Sequence, residues 1–216
     1  MFVINPFVFA GGVATVIGQG NTPYASSYAA TNGYVSIDQG GEGGSYRILA
    51  TASAPNNQWS TLAFVGGPNL WGAGDDVYQE MKLVAAPNGI SLVAGVCNDG
   101  VMTSRHVGFN TSGLGFYAGT NYAPVGVYYN DGLAVNVADN SGTATPGSRV
   151  TVRVRNAAGQ YRVDGYIDGL LIAHGSITAL PGNSYMGLSL FGSGTMIECT
   201  RASQVRHPIA GSVYLG

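Results

Sequence analysis

Residues 150–176 read VTVRVRNAAGQYRVDGYIDGLLIAHGS and contain the clearest structural pattern in the chain. The first part alternates apolar and polar side chains, which is the period of a half-buried β-strand. One face of this strand carries Val150, Val152 and Val154, and the other carries Thr151, Arg153 and Arg155. A second alternating run begins at Tyr161, so the segment predicts two paired strands.

The register of this pair follows from keeping valine opposite valine. That condition places Val154 opposite Val163 and Arg153 opposite Asp164, and it leaves Ala158-Gly159 as a two-residue turn. An exposed ion pair between Arg153 and Asp164 would contribute only about 0.2–1 kcal/mol. It would still disfavour a register slipped by one residue, in which the valines face water.

A second turn at Asp168-Gly169 returns the chain through residues 170–174. Continued without interruption, this pairing places His174 on the same face as Ile172 and Val163. We therefore expect His174 to be a core histidine with satisfied hydrogen bonds rather than a ligand-binding group.

The rest of the chain shows the same pattern of short predicted strands separated by tight turns. Asn-Gly, Asp-Gly and Gly-Gly pairs recur along the chain, and no convincing amphipathic helix lies between them. The β-rich runs are Val77–Ala85, Ile90–Cys97, Gly113–Gly119, Val125–Tyr129, Val150–Asn156, Tyr161–Ile167, Leu170–His174, Tyr185–Phe191 and Thr195–Thr200. The pattern predicts an all-β sandwich or barrel of one domain over 21–203, with arms at 1–20 and 204–216.

Composition excludes several classes of protein. Only 9% of the 216 residues are charged, the formal net charge is −2, and Lys82 is the single lysine. Nucleic-acid binding normally needs a basic surface, so it is not expected. No apolar run reaches the roughly 18 residues of a membrane span, and hydrophobic residues at 45% argue against disorder.

Three long stretches, 1–37, 48–74 and 169–197, contain no charged residue. They are either core strands with polar turns or surfaces covered by other subunits. The first stretch begins MFVINPFVFA, which is too apolar for a free tail and lacks the basic start of a signal peptide. We interpret it as a docking arm or a first strand, with an assembly anchor formed by Phe2, Val3, Ile4, Pro6, Phe7 and Phe9.

The two cysteines give little information. Cys97 and Cys199 have no spacing typical of a metal site, and both buried thiols and a disulfide remain open. Without a signal peptide, synthesis in a reducing cytoplasm is the simpler assumption.

Several motifs resemble the SPRY-like branch of the concanavalin A-like sandwiches. The run from Tyr161 to Gly175 is similar to their strand–turn–strand hairpin. The runs at 113–119, 147–154 and 185–192 are similar to other strands of that fold, so the resemblance covers roughly residues 77–200. It implies an antiparallel, two-sheet, jelly-roll-like sandwich with an extended apolar N-terminal arm. The richness in Gly, Asn, Ser and Tyr and the Asn5-Pro6-Phe7 opening also resemble bacteriophage virion proteins.

The sequence contains none of the enzyme motifs considered for this class of fold. The glutamates are Glu42, Glu80 and Glu198, and none stands in the Glu-x-Asp-x-x-Glu pattern of the sandwich glucanases. Asp76 and Glu80 would lie about 13 Å apart on one strand, too far for a retaining pair of carboxylates. Asn130-Asp131 is adequately explained as part of a hairpin turn rather than a calcium site. We expect no catalytic residue, metal site or cofactor.

Binding candidates are aromatic and amide side chains that could contact a sugar ring and its hydroxyl groups. The residues in such clusters are Trp59, Trp71, Asn121, Tyr122, Tyr129, Asn130 and Asp131. For each, core or interface packing is the favoured explanation, and sugar contact is the alternative. The polar face of Arg153, Arg155 and Arg162 could meet a partner or simply face water.

These observations predict a non-enzymatic virion structural protein, exposed on a phage tail or as a capsid decoration and made in the host cytoplasm. Its expected partners are other virion proteins and further copies of itself, with a trimer favoured and host-surface glycan as a possible receptor. The alternative is a lectin-like carbohydrate-binding module. A polysaccharide hydrolase ranks third.

Overall fold

The protein is described by a computed structural model over fourteen segments of the chain. These are residues 15–16, 29–30, 35–38, 46–50, 59–63, 75–98, 106–108, 113–119, 123–130, 135–157, 160–178, 180, 184–199 and 204–208. Every regular element within them is a β-strand. Accordingly, a search of these segments for a helix able to cross a membrane finds none.

One sheet has ten strands in the described residues. They are β1 (Thr15–Val16), β3 (Val35–Asp38), β4 (Tyr46–Ala50), β6 (Asp75–Ala85), β10 (Asn136–Ala138), β11 (Arg149–Ala157), β12 (Gln160–Ile167), β13 (Leu170–Ile177), β15 (Met196–Cys199) and β16 (Gln204–Pro208). The main order is β10-β13-β12-β11-β6-β15-β4-β3. Strand β16 pairs with the first half of β6 beside β15, and β1 pairs with β16.

The second sheet has six strands in the same described part. They are β2 (Ala29–Ala30), β5 (Trp59–Ala63), β7 (Leu92–Asn98), β8 (Gly113–Tyr117), β9 (Gly126–Tyr129) and β14 (Ser184–Phe191), in the order β2-β5-β14-β7-β8-β9. All pairings in both sheets are antiparallel. The predicted all-β, two-sheet sandwich is confirmed.

The register predicted for β11 and β12 is also confirmed. Val154 lies opposite Val163 and Arg153 lies opposite Asp164, and the pairing of Ala157 with Gln160 leaves two residues for the turn. The valine face points into the core, where Val154 and Val163 are fully buried. Alternation therefore fixed this register, as expected for a sheet with one buried face.

The predicted orientation of His174 is wrong. The pairing of β12 with β13 contains a β-bulge, so that Tyr166 pairs with Leu171 but Gly165 pairs with Ala173. The extra residue, Ile172, shifts every later position by one, and His174 lies opposite Asp164 on the outer face. Ile172 and Ala173 are both buried, which is what such a shift produces.

The two sheets approach closely because glycines face large side chains across the core. A Cβ on Gly165 of β12 would overlap the ring of Phe116 in β8. A Cβ on Gly175 of β13 would lie 2.7 Å from Val127 Cγ1 in β9. These two contacts place one end of the ten-stranded sheet directly over β8 and β9.

The outer face of the six-stranded sheet is covered by the chain itself. Gly187, Gly95 and Gly115 are register neighbours in β14, β7 and β8, and they leave room above the sheet. Val107 occupies this space: its backbone N donates to Ser189 Oγ at 3.0 Å, and its side chain is fully buried. A Cβ on Gly187 would lie 2.7 Å from Val107 Cγ2.

This cover explains part of the missing charge. Strand β14 lies within the uncharged stretch 169–197, and it is buried on both faces at Leu188 and Ser189. Strand β7 is buried along its whole length, including the Cys97 thiol. For these strands, packing within the domain accounts for the lack of charged residues without a partner subunit.

The two predicted arms are described only in short segments. Residues 15–16 and 204–208 form the paired strands β1 and β16, and β16 also pairs with β6. The apolar anchor at 2–9 lies outside the described residues. The boundaries at 20 and 203 and the anchor role stay predictions.

Replacing Gly165 with alanine tests the close approach of the sheets. We expect Gly165→Ala to lower the free energy of unfolding by about 2–3 kcal/mol, because the new methyl group must displace the Phe116 ring. Gly142→Ala is the matched control, since its Cβ would meet only the flexible tip of Ile172 at 2.9 Å. Chemical denaturation measures both, and equal, small effects would contradict the predicted packing.

Candidate functional site

The outer face of the ten-stranded sheet carries a cluster of polar side chains on three adjacent strands. We call it the arginine face and define it as Arg153 and Arg155 of β11, Arg162, Asp164 and Tyr166 of β12, and His174 and Ser176 of β13. The register sets these residues in rows across the strands: Arg155, Arg162 and Ser176 form one, and Arg153, Asp164 and His174 form the next. Strands are about 4.8 Å apart, so neighbours in a row are in contact range.

Asp164 is the centre of this face. Its carboxylate is only 1% exposed although it lies on the outer side of the sheet. Arg155 Nη2 donates to Oδ2 and Arg162 Nε donates to Oδ1, both at 2.6 Å. The predicted exposed ion pair with Arg153 is therefore wrong: Asp164 is buried and both of its oxygens are held by the other two arginines.

The Asp164 carboxylate offsets the electrostatic repulsion between these two arginines. Arg155 and Arg162 are direct cross-strand partners, and like charges in that arrangement repel each other. Asp164 lies diagonally between them and neutralises one of the two charges. The guanidinium groups remain accessible, with side-chain exposures of 27% for Arg155 and 37% for Arg162.

Arg153 and Tyr166 are less exposed members of the arginine face. Arg153 is mostly buried, and its side chain is hydrogen-bonded to Tyr166. Burial raises the pKa of the Tyr166 phenol, and the nearby Asp164 carboxylate raises it further, whereas Arg153 acts in the opposite direction. The phenol is thus neutral at physiological pH and keeps its proton as a hydrogen-bond donor.

His174 extends the face towards the short strand β10. Its Nδ1 lies 2.8 Å from Asp139 Oδ2, and both side chains are partly exposed. Val137 is the register partner of His174 and is 50% exposed. This corner therefore combines a carboxylate acceptor, an imidazole and an apolar side chain, all reachable from solvent.

The other carboxylates described with side chains are also engaged. Glu80 lies 2.6 Å from Arg149, and Glu198 lies 3.2 Å from Arg47. Asp168 accepts from Ser148 Oγ and from the Arg149 backbone N. No group of three or more His, Cys, Asp or Glu in the described segments is placed to hold a metal ion.

Trp59, predicted as a sugar-contacting side chain, is buried with 6% exposure. It lies on the outer face of the six-stranded sheet, with its ring centroid 4.8 Å from His106, 5.2 Å from Phe191 and 6.4 Å from Tyr117. Here it packs beneath the segment that carries Val107. Sequence inspection did not single out His106, because nothing local distinguishes it from a loop residue.

Two of the remaining predicted sugar-binding residues, Tyr129 and Asn130, lie in the described part of the chain, and Tyr129 packs in a different cluster from Trp59. Tyr129 is partly buried against the main core, and Asn130 is exposed at the end of β9 with a φ of 51°. Trp71, Asn121, Tyr122 and Asp131 lie outside the described residues. A sugar-binding role for this set stays a prediction.

Comparison with solved structures supports the fold. A human SPRY domain matches 81% of this chain and 96% of its own length, with a TM-score of 0.55 and 7% sequence identity. The exoplasmic domain of VIP36, in a form bound to Ca²⁺ and Man3GlcNAc, matches 93% and 90% at a TM-score of 0.51 and 14% identity. A legume lectin-like domain from Entamoeba histolytica matches 96% and 98% at a TM-score of 0.50 and 8% identity.

The chain therefore has the concanavalin A-like, SPRY-like sandwich fold that its motifs resemble. At these identities the similarity concerns the fold alone, and none of these structures indicates a virion origin. No protein-family model matches the sequence. No curated protein matches it at a significant level.

The role of Asp164 can be tested by removing its charge. We expect Asp164→Asn to lower the free energy of unfolding by about 2–3 kcal/mol, because Arg155 and Arg162 are then left facing each other. This is less than for a completely buried pair, since both guanidinium groups are partly hydrated.

Asp139→Asn is the control for this substitution. It removes a carboxylate from the same face, but one whose partner His174 is partly exposed, so the expected loss is about 0–1 kcal/mol. Thermal or urea unfolding measures both variants. If Asp164→Asn were as stable as Asp139→Asn, Asp164 would not be the organising group of the face.

Proposed function

We propose that the protein is a non-catalytic saccharide-binding module and that the arginine face is its binding surface. The observation that carries this proposal is the fixed array of polar groups on β11, β12 and β13, in which Arg155 and Arg162 are partly exposed. Their side chains are held by ion pairs and hydrogen bonds to each other, so little conformational entropy is lost when they bind a ligand. Sites placed on strands are also more rigid than sites on loops.

The chemistry of the face suits a polyhydroxylated ligand. Guanidinium groups and the Tyr166 phenol donate hydrogen bonds, and the Asp139 carboxylate accepts them. Val137, beside them, offers apolar contact to the non-polar side of a sugar ring. Lectin-like structures with the same fold, one of them holding a glycan, make saccharides a reasonable first ligand class.

The absence of catalysis is part of the proposal. Glycoside hydrolysis needs a general acid together with a second carboxylate at a set distance. The described carboxylates Asp164, Glu80 and Glu198 each form an ion pair with an arginine side chain, and no two of them pair with each other in the way that a glycosidase site needs.

A glycan array tests the proposal, with Arg162→Ala as the variant. We expect the unchanged chain to retain at least one class of saccharide, and Arg162→Ala to weaken that binding about tenfold or more, because it removes the most exposed donor of the face. Retention of no saccharide, or undiminished binding by a folded Arg162→Ala variant, would refute the proposed site.

Arg47→Ala is the matched control. Arg47 is 42% exposed and paired with Glu198, and it lies on β4 in the same sheet. Four strand spacings, or about 19 Å, separate β4 from β12. Its removal should leave saccharide binding unchanged, and thermal melting of both variants checks that each remains folded.

We also propose, as a second candidate, assembly into a virion through the N-terminal segment. The observation in its favour is the uncharged, apolar sequence of residues 1–12, which precedes β1. Deleting residues 1–12 should prevent incorporation into particles and leave the sandwich folded. Normal incorporation of the deleted chain, measured on purified particles, would remove this candidate.

A further inference from the structure

The arginine face concentrates positive charge in a chain that is negative overall. Arg153, Arg155 and Arg162 are three of the nine basic Lys and Arg residues, whereas the formal net charge of the chain is −2. Asp164 compensates one guanidinium. Asp76 lies opposite Arg155 in register, but its side chain is outside the described set. Of the two guanidinium groups that share this carboxylate, Arg162 is the more exposed to solvent.

Arg162 has unused hydrogen-bonding capacity that points to an anionic group. Its Nε donates to Asp164, and its two Nη atoms form no hydrogen bond with the residues that the structure describes. A guanidinium in this state can donate two parallel hydrogen bonds to a carboxylate. The neighbouring guanidinium of Arg155 raises the positive potential there, and Ser176 lies next to Arg162 in the same row.

A carboxylate acceptor lies close to this basic site. His174, which holds Asp139, is two residues from Ser176 on β13, a separation of about 7 Å along the strand. A ligand that spans both positions must present a negative group to Arg162 and donors to Asp139. An acidic sugar supplies both from its ring substituents, through its carboxylate and its hydroxyl groups.

The position of the site within the sheet excludes backbone pairing with a peptide. Extended peptides can bind to a sheet by pairing with an edge strand. The site lies on the face formed by β12 and β13, both of which are already paired on both sides. Recognition there must occur through side chains alone.

We infer that the ligand of the arginine face is an acidic saccharide, whose carboxylate binds Arg162 beside Arg155 and Ser176 and whose ring hydroxyls bind Asp139. This inference rests on the proposed saccharide-binding function and narrows its ligand class to chains that contain uronic acids.

The direct test compares a hexamer of galacturonic acid with its methyl ester, using the full chain and isothermal titration calorimetry. The two probes share a backbone, and only the acid carries charge. At about 20 mM salt we expect the acid to bind about tenfold or more tightly than the ester. The preference should shrink at about 500 mM salt, because the guanidinium groups are partly exposed and therefore screened.

Two variants locate the interaction. Arg162→Gln should abolish the preference for the acid over the ester, whereas Arg47→Gln, on the distant strand β4, should preserve it. Asp139→Asn should weaken both probes by a similar factor, since it acts on the hydroxyl groups that they share. The comparison of acid with ester uses only the unchanged chain, so its result does not depend on whether the variants fold.

Several outcomes would overturn the inference. Equal binding of acid and ester, or a preference for neutral glycans on an array, would reject the acidic ligand but keep the saccharide-binding function. Equal binding of oligoglutamate would reject the saccharide class in favour of an acidic peptide. A sulfated oligosaccharide that binds when the uronic acid does not would reject the carboxylate assignment. Binding of none of these probes, with an empty array, would reject both this inference and the proposed function.

Discussion

The ion pairs of a buried carboxylate, Asp164, organise the outer face of the ten-stranded sheet. Two arginines stand directly opposite each other on β11 and β12, an arrangement that is unfavourable by itself. Asp164 accepts one hydrogen bond from each of them. The shared carboxylate bridges the two guanidinium groups and fixes their positions. The orientation of Arg162, and with it the charge presented to solvent, depends on this single side chain.

The outer faces of the two sheets differ in how far they are covered by other parts of the chain. On the six-stranded sheet, small residues allow the segment around Val107 to pack against the strands, and the aromatic cluster of Trp59 is covered. On the ten-stranded sheet, the Arg155 and Arg162 side chains stay partly accessible. The lack of charge in β14 therefore reflects burial on both sides of this strand, whereas three arginines share the outer face of β11 and β12.

Strict alternation made much of this predictable. It gave the strands of residues 150–167, their register, and the shared face of Arg153, Arg155 and Arg162. The bulge at Ile172 was not predictable, because the run LLIAHG has apolar residues at consecutive positions and fits either register. The bulge alone decides that His174 joins the polar face rather than the core. The burial of Asp164 also escaped prediction, because alternation places this residue on the outer, polar face of its strand.

The central claim, that ligand binds where Asp164 holds Arg155 and Arg162, is tested most directly by observing the arginine side chains. The Nε–H signals of the ¹⁵N-labelled chain can be followed by nuclear magnetic resonance while hexagalacturonate is added. The account predicts saturable shifts of the Arg155 and Arg162 signals with one common dissociation constant, and unchanged signals from Arg47. Shifts confined to the indole signals of Trp59 and Trp71, with the two arginines unaffected, would contradict it.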